Sequence, residues 1–273
     1  MKKLVVVLLV MMALLLGTIG TALAITNGEL DGDDHPYVVL LVMETENGTG
    51  YRCSGTLLSP TVLLTAGHCT SNYGYIEEEG DYAAMRVFTE SDVDNGDNSY
   101  PTCDDGNCVE ASSWAAHPLY ETAPFFVHDV GVVILEEPGV VLDEYGALPE
   151  ADQLDVLKTK RGKQDTTFTA VGYGLQYINP VFVEAERVRM VATPRLIQIN
   201  SPGFTGDYSL LLSNNPNTGG TCFGDSGGPN FLGDSDIVAG VTSFGLNGNC
   251  AGTGGVFRMD RQNVLDFVEA WLP

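Results

Sequence analysis

Basic residues are scarce in this chain: 13 lysines and arginines stand against 36 aspartates and glutamates in 273 residues, a formal net charge of −23. That balance repels polyanions, so nucleic acid and anionic membrane surfaces are excluded as partners. Histidine occurs four times, and no His-x-x-x-His or Cys-x-x-Cys spacing exists, so no metal site and no metal cofactor are expected. There is no internal repeat and no low-complexity tract. Beyond the amino terminus, no apolar run is long enough to cross a membrane. Apolar and aromatic content, 44% and 9%, are those of a protein with a packed core, which excludes disorder.

The one long apolar run is amino-terminal. Lys2 and Lys3 precede it, Leu4 to Leu16 form it, and Ala22-Leu23-Ala24 closes it with a small-x-small pattern. Residues 1–24 are therefore expected to be a secretory signal peptide cut after Ala24. The competing reading is an uncleaved membrane anchor, but Gly17, Thr18, Gly20 and Thr21 break the run where a signal peptide would. Six cysteines suit an oxidising compartment, so a secreted, extracellular protein is expected. Sequence alone leaves their pairing open, although Cys103 and Cys108 flank a short turn that could close locally.

The rest of the pattern is mostly β. Tyr37 to Val42, Thr61 to Leu64, Gly131 to Leu135, Thr167 to Val171 and Asp236 to Val241 are short runs rich in β-branched or aromatic residues. One helix is predicted, from about Arg261 to Leu272, where Val264, Leu265, Phe267, Val268 and Trp271 share a face. Such a pattern suits a sandwich or a barrel and does not choose between them. The acidic stretch from Glu90 to Asp105 resembles a calcium loop at first sight. Gly96 falls one place too early and Cys103 stands where a bidentate glutamate belongs, so a solvated loop is expected.

Three local frames carry the chemistry. Gly224-Asp225-Ser226-Gly227-Gly228-Pro229 places a serine in a glycine-rich turn, where the backbone approaches a ligand closely and aims its N–H groups inward. A serine hydroxyl becomes a nucleophile only beside a base that a third group orients. Thr65-Ala66-Gly67-His68-Cys69 and His128-Asp129-Val130-Gly131 lie upstream and supply both residue types. Singly, each has a bland explanation: a surface turn, a structural histidine, a strand-edge cap. Together and in this order they resemble the trypsin/chymotrypsin family of serine endopeptidases.

That resemblance covers the chain from Ile25 onward, loosely between Gly174 and Asn217. It implies an all-β fold of two six-stranded antiparallel β-barrels with a C-terminal helix and the active site in the cleft between them. An N-terminal barrel over 25–143 and a C-terminal barrel with the helix over 144–273 would follow, joined through Glu136 to Gln164. Ser226 would attack the peptide carbonyl, His68 would act as base and then acid, and Asp129 would orient His68. The N–H groups of Gly224 and Ser226 would form the oxyanion hole. Bridges Cys53–Cys69 and Cys222–Cys250 are implied, leaving Cys103 to pair with Cys108. Ile25 would begin the mature chain, and its free amine would pair with Asp225, so signal cleavage would also be activation. His35, His117 and His128 read as structural or exposed.

For the specificity pocket, the resemblance puts Gly220 at the base, where trypsin-like members carry an aspartate, with Ser243, Phe244, Gly245 and Gly255 along the walls. A pocket without charge, given room by its glycines, implies cleavage after aromatic or large apolar residues. Thr242 stands where glutamate-selective members carry a histidine, which argues against that preference. The expected partners are polypeptide substrates, with no membrane contact after signal cleavage, no cofactor, and a monomeric state. The alternatives are a non-catalytic binding protein on the same fold and an ester hydrolase using the same acyl-enzyme chemistry.

Overall fold

Strand β2, Val38–Thr45, is apolar at nearly every position, whereas a strand with one wet face would alternate. Both of its faces are covered, and by different partners. Val39, Leu41 and Met43 join the main core, as does Val38 at the start of the strand, while from Leu40 on the other face, Leu40 and Val42, packs with Phe88, Val93 and Tyr173. Side chains alternate along a strand, so this odd–even split puts β2 between a barrel interior and a second layer outside it. The computed structural model describes residues 25–48, 50–71, 80–122, 124, 127–158, 165–178 and 183–273. The predicted signal peptide, residues 1–24, lies outside the described residues.

The barrel is closed. In chain order its strands are β2, β3 (Gly50–Leu57), β4 (Val62–Thr65), β5 (Tyr82–Phe88), β6 (Val109–Ala116) and β7 (Gly131–Leu135). Around the barrel the order is β2-β3-β4-β7-β6-β5, with β5 pairing back onto β2. One helical turn, α1 (Gly67–Thr70), follows β4.

The second sheet is built on β8 (Phe168–Gly172), β11 (Met190–Ala192), β12 (Leu196–Ser201), β13 (Gly206–Asn214), β14 (Pro229–Leu232), β15 (Val238–Gly245) and β16 (Gly252–Arg258). A short hairpin, β9 (Tyr177–Ile178) with β10 (Val183–Glu184), projects from it. The ladder runs β1-β11-β8-β14-β15-β16-β13-β12, with the edge strand β1 at Glu29–Leu30. β11 and β12 form one passage of chain. The bridge between Thr167 and Arg195 continues the register of the β8–β11 ladder. The interruption falls at Pro194, which has no N–H to donate but accepts one from Phe168 at 2.9 Å. Six passages thus curl into a second, half-closed barrel around Leu154, Phe168, Leu210 and Val256.

Residues 136–167 connect the two sheets; among those described, Gln153–Leu157 forms a 3-10 turn whose Leu154 is buried. Its anchor is fully buried Arg258, which bonds Asp260 at 2.7 Å and Asp155 at 3.0 Å. Helix α2, Gln262–Glu269, is shorter than the sequence pattern. Val264, Leu265 and Val268 are buried, Val264 and Val268 in the main core, but Trp271 lies past the last turn and is 38% exposed.

The acidic stretch departs from the expected solvated loop in one part. Asp94 to Asn98 is mostly exposed and tied by local bonds such as Asn95 N–H to Asp92 at 3.0 Å. Residues 91–93, however, dock on the second sheet. Asp92 bridges Val188, and Val93 is buried with its N–H on the Arg187 carbonyl at 2.8 Å. That pairing joins residues distant in the chain and leaves no local mark in the sequence.

Candidate active site

His68 is carried by α1, directly after β4, and Cys69 is bridged to Cys53 on β3. Asp129 precedes β7 and is fully buried. The kink that aims it inward is at His128, which adopts φ +62°, a left-handed conformation uncommon for a residue with a Cβ. The imidazole Nδ1 of His68 lies 2.9 and 3.1 Å from the two carboxylate oxygens of Asp129, and the backbone N–H of His68 donates to Oδ1 at 2.9 Å. Burial opposes protonation of this ring, but the charge and hydrogen bond of Asp129 outweigh it, and the pKa is raised.

Ser226 comes from the other barrel, in the turn before β14. Gly227 has φ +77°, and a Cβ there would stand 2.0 Å from the Thr65 hydroxyl, so only glycine lets the turn press against the end of β4. That contact sets Ser226 beside the residues leading to His68. The turn's backbone bonds use the N–H groups of Asp225, Gly227 and Gly228, on Cys222, Thr242 and Asp225. Those of Gly224 and Ser226 stand outside that set. Asp225 points the other way, fully buried, with Oδ1 on the Gly174 N–H and Oδ2 on the Cys222 N–H, both at 2.8 Å. Burial pushes its pKa up to about 7, against those two hydrogen bonds and the attraction of Arg52.

His68 and Ser226 line the same cavity, of about 210 Å³. Of the expected wall residues, Ser243, Phe244 and Gly245 line it; Gly220 and Gly255 do not. Gly220 instead bridges Thr26 near the amino terminus. Over Gly255, a Cβ would meet the Phe244 ring at 2.3 Å, so the space left by that glycine is filled from within. A register shift between Thr242 and Phe244 turns that ring onto β16. Thr221, Cys222, Phe223, Thr242, Asn247, Gly248 and Cys250 complete the lining, with Cys222 and Cys250 disulfide-bonded.

One contributor escaped the sequence, and one expected wall residue has a second role. Ser243 donates to Asp129 Oδ2 at 2.5 Å, so it orients the carboxylate as well as lining the cavity. Ser54 on β3 donates to the Gly224 carbonyl at 3.0 Å, and its N–H bonds the Ser226 carbonyl at 2.8 Å, fastening the serine turn to the first barrel. Nothing local marks Ser54, except that it follows the bridged Cys53. Cys53, His68 and Cys69 gather their donor atoms within 4.8 Å, but both sulfurs are consumed in the disulfide and offer no thiolate to a metal. Cys103 and Cys108 are also bridged.

The other histidines are built into the scaffold. His117 and His128 are buried and stacked at 4.7 Å, and burial lowers the pKa of each. His117 also meets Phe267 of α2 edge-on at 5.1 Å. His35 pairs with Asp31 at 2.5 Å and stacks on Phe231. Asp31 in turn binds buried Arg189 at 2.9 Å.

Comparison with known proteins adds a family. A family model described as Trypsin matches residues 26–268. A trypsin of Saccharopolyspora erythraea is 28% identical over 82% of this chain and 87% of its own. Brachyurin of Leptuca pugilator is 26% identical over 73% of this chain and 78% of its own. The solved structure of HL collagenase superposes with a TM-score of 0.65 at 19% identity, over 90% of this chain and 97% of that one, which bears on the fold alone.

Proposed function

The chain is a serine endopeptidase of the trypsin family, and we propose that it is secreted and cleaves polypeptides after large apolar or aromatic residues through an acyl-enzyme. The observation that carries the mechanism is the His68–Asp129 pair opening onto the cavity that Ser226 lines. With Nδ1 held by Asp129, Nε2 is the remaining ring nitrogen. It takes the Ser226 proton as Oγ bonds to the scissile carbonyl carbon, then gives that proton to the departing amine. Water repeats the sequence on the acyl-enzyme, releasing the acid and restoring Ser226. The N–H groups of Gly224 and Ser226 would receive the oxyanion, each worth about 3 kcal/mol of transition-state stabilisation.

Activation by signal cleavage has support in the placement of Ile25. Its side chain is fully buried in a cluster with Ala170, Val188, Met190 and Ala192. Asp225 lies against Gly172, two residues from Ala170 and so on the same face of β8. Ile25 has φ +46°, a costly conformation for a β-branched residue, which release from Ala24 would relax. Secretion also fits three disulfides.

The preference for uncharged side chains rests on the cavity walls. Among the described lining residues only His68 is ionisable, and Phe223, Phe244 and the Thr221 and Thr242 side chains shape the cavity. Cleavage-site profiling of the mature protein on a mixed peptide library tests this. Cuts after Phe, Tyr or Leu are expected; a profile dominated by Lys and Arg contradicts the assignment of the pocket.

A further inference from the structure

Arg52 has no part in the mechanism above. It sits on β3 two residues before Ser54, so both side chains leave the same face of the strand. Both reach Gly224. Ser54 bonds its carbonyl, and Arg52 Nε lies 3.3 Å from the point where a Cβ on Gly224 would stand. The guanidinium lies near the Tyr100 hydroxyl, which receives Arg187 Nε at 3.2 Å. Arg187 lies over the same ring at 5.6 Å and repels Arg52. Arg52 Nη1 is enclosed and, among the described residues, has no hydrogen-bond partner. The anion within its field is Asp225, which lies between Gly224 and Ser226 in the chain.

We propose that Arg52 is a positioning residue of the oxyanion turn, bracing the Gly224 peptide and supplying buried Asp225 with a counter-charge independent of the Ile25 amine. This rests on the Ile25–Asp225 pairing under Proposed function. Before Ile25 is freed, Arg52 is the cation that opposes protonation of Asp225, without outweighing its burial, and helps to direct it inward. Without either cation, the carboxylate is driven to take up a proton or turn outward, and the two N–H groups flanking it move with it. The amine and the guanidinium are then partly redundant, and their removal is not additive.

A four-member cycle tests this: Ile25-starting and alanine-extended chains, each with Arg52 or Arg52→Gln. The readouts are kcat and KM on a neutral peptide and the fraction of sites titrated by a serine-directed phosphonate. Each single change should lower kcat with KM little altered. The double change should lower it at least about tenfold beyond the product of the two single effects. Arg52→Lys should restore most of the loss in the extended chain. Multiplicative effects, or equal losses for Lys and Gln, would overturn the proposal. If Arg52→Gln does not fold, Arg52→Lys decides alone: retained activity in the extended chain supports the counter-charge, and a proportionate loss in both chains refutes it. Absence of hydrolysis by the unaltered mature chain would instead refute the endopeptidase reading, and equal activity of all four chains the activation pairing.

Discussion

Freeing the amino terminus should change how stability depends on pH, and Asp225 sets the size of the change. In the chain still joined upstream of Ile25, its carboxyl titrates near about 7 rather than 3.8. The raised value means that the folded state holds the proton more tightly than the unfolded state. The unfavourable contribution is therefore absent below pH 3.8, grows as pH rises, and is complete above about 7. Its ceiling is about 4 kcal/mol. A protonated Ile25 amine paired with Asp225 would cancel most of it. Asp31 and Asp155 have lowered pKa values and act in the opposite direction, but equally in both forms, so they drop out of the difference. The assay is urea unfolding of mature and alanine-extended chains, both carrying Ser226→Ala to prevent self-cleavage, at pH 4.5 and 7.5. The stability gap should widen by a few kcal/mol at the higher pH. A gap that stays constant would show that the amine never reaches Asp225.

Ser243→Ala removes a charge-assisted bond to a buried carboxylate, worth about 1.5–3 kcal/mol, so kcat should fall about 10- to 100-fold with a smaller change in KM; steady-state kinetics with an unchanged kcat would remove Ser243 from the catalytic relay. Gly255→Ala should raise KM for aromatic peptides, because its methyl collides with the Phe244 ring. Gly254→Ala, whose nearest neighbour is the Thr221 hydroxyl at 3.3 Å, should be nearly silent, and equal effects would contradict the ring's placement. His117 and His128 have folded pKa values below the unfolded 6.5, so their cost is absent above that value and appears as pH falls through it. His128→Asn, which tolerates a left-handed backbone, should flatten the loss of urea resistance between pH 7 and pH 5; an unaltered slope refutes a role for the stack.

What could be read from the sequence was local. The frames around His68, Asp129 and Ser226 each span a handful of residues, and their turn chemistry is written in the residues themselves. The β runs were legible for the same reason. What could not be read depends on register and on contacts distant in sequence. Phe244 fills the space above Gly255 because of an irregularity between β15 and β16. Ser54 meets Gly224 across 170 positions of chain, and the acidic stretch docks through Asp92 on Val188. The cavity walls were therefore read less well than the residues expected to perform the chemistry.

The account turns on Ser226. Mature protein and its Ser226→Ala variant should be compared for peptide hydrolysis and for covalent labelling by a serine-directed phosphonate, with thermal unfolding as the control for folding. The account predicts hydrolysis and a single label on Ser226 in the parent, and neither in a variant that unfolds at a similar temperature. Undiminished hydrolysis by the folded variant, or a label on another residue, would contradict it.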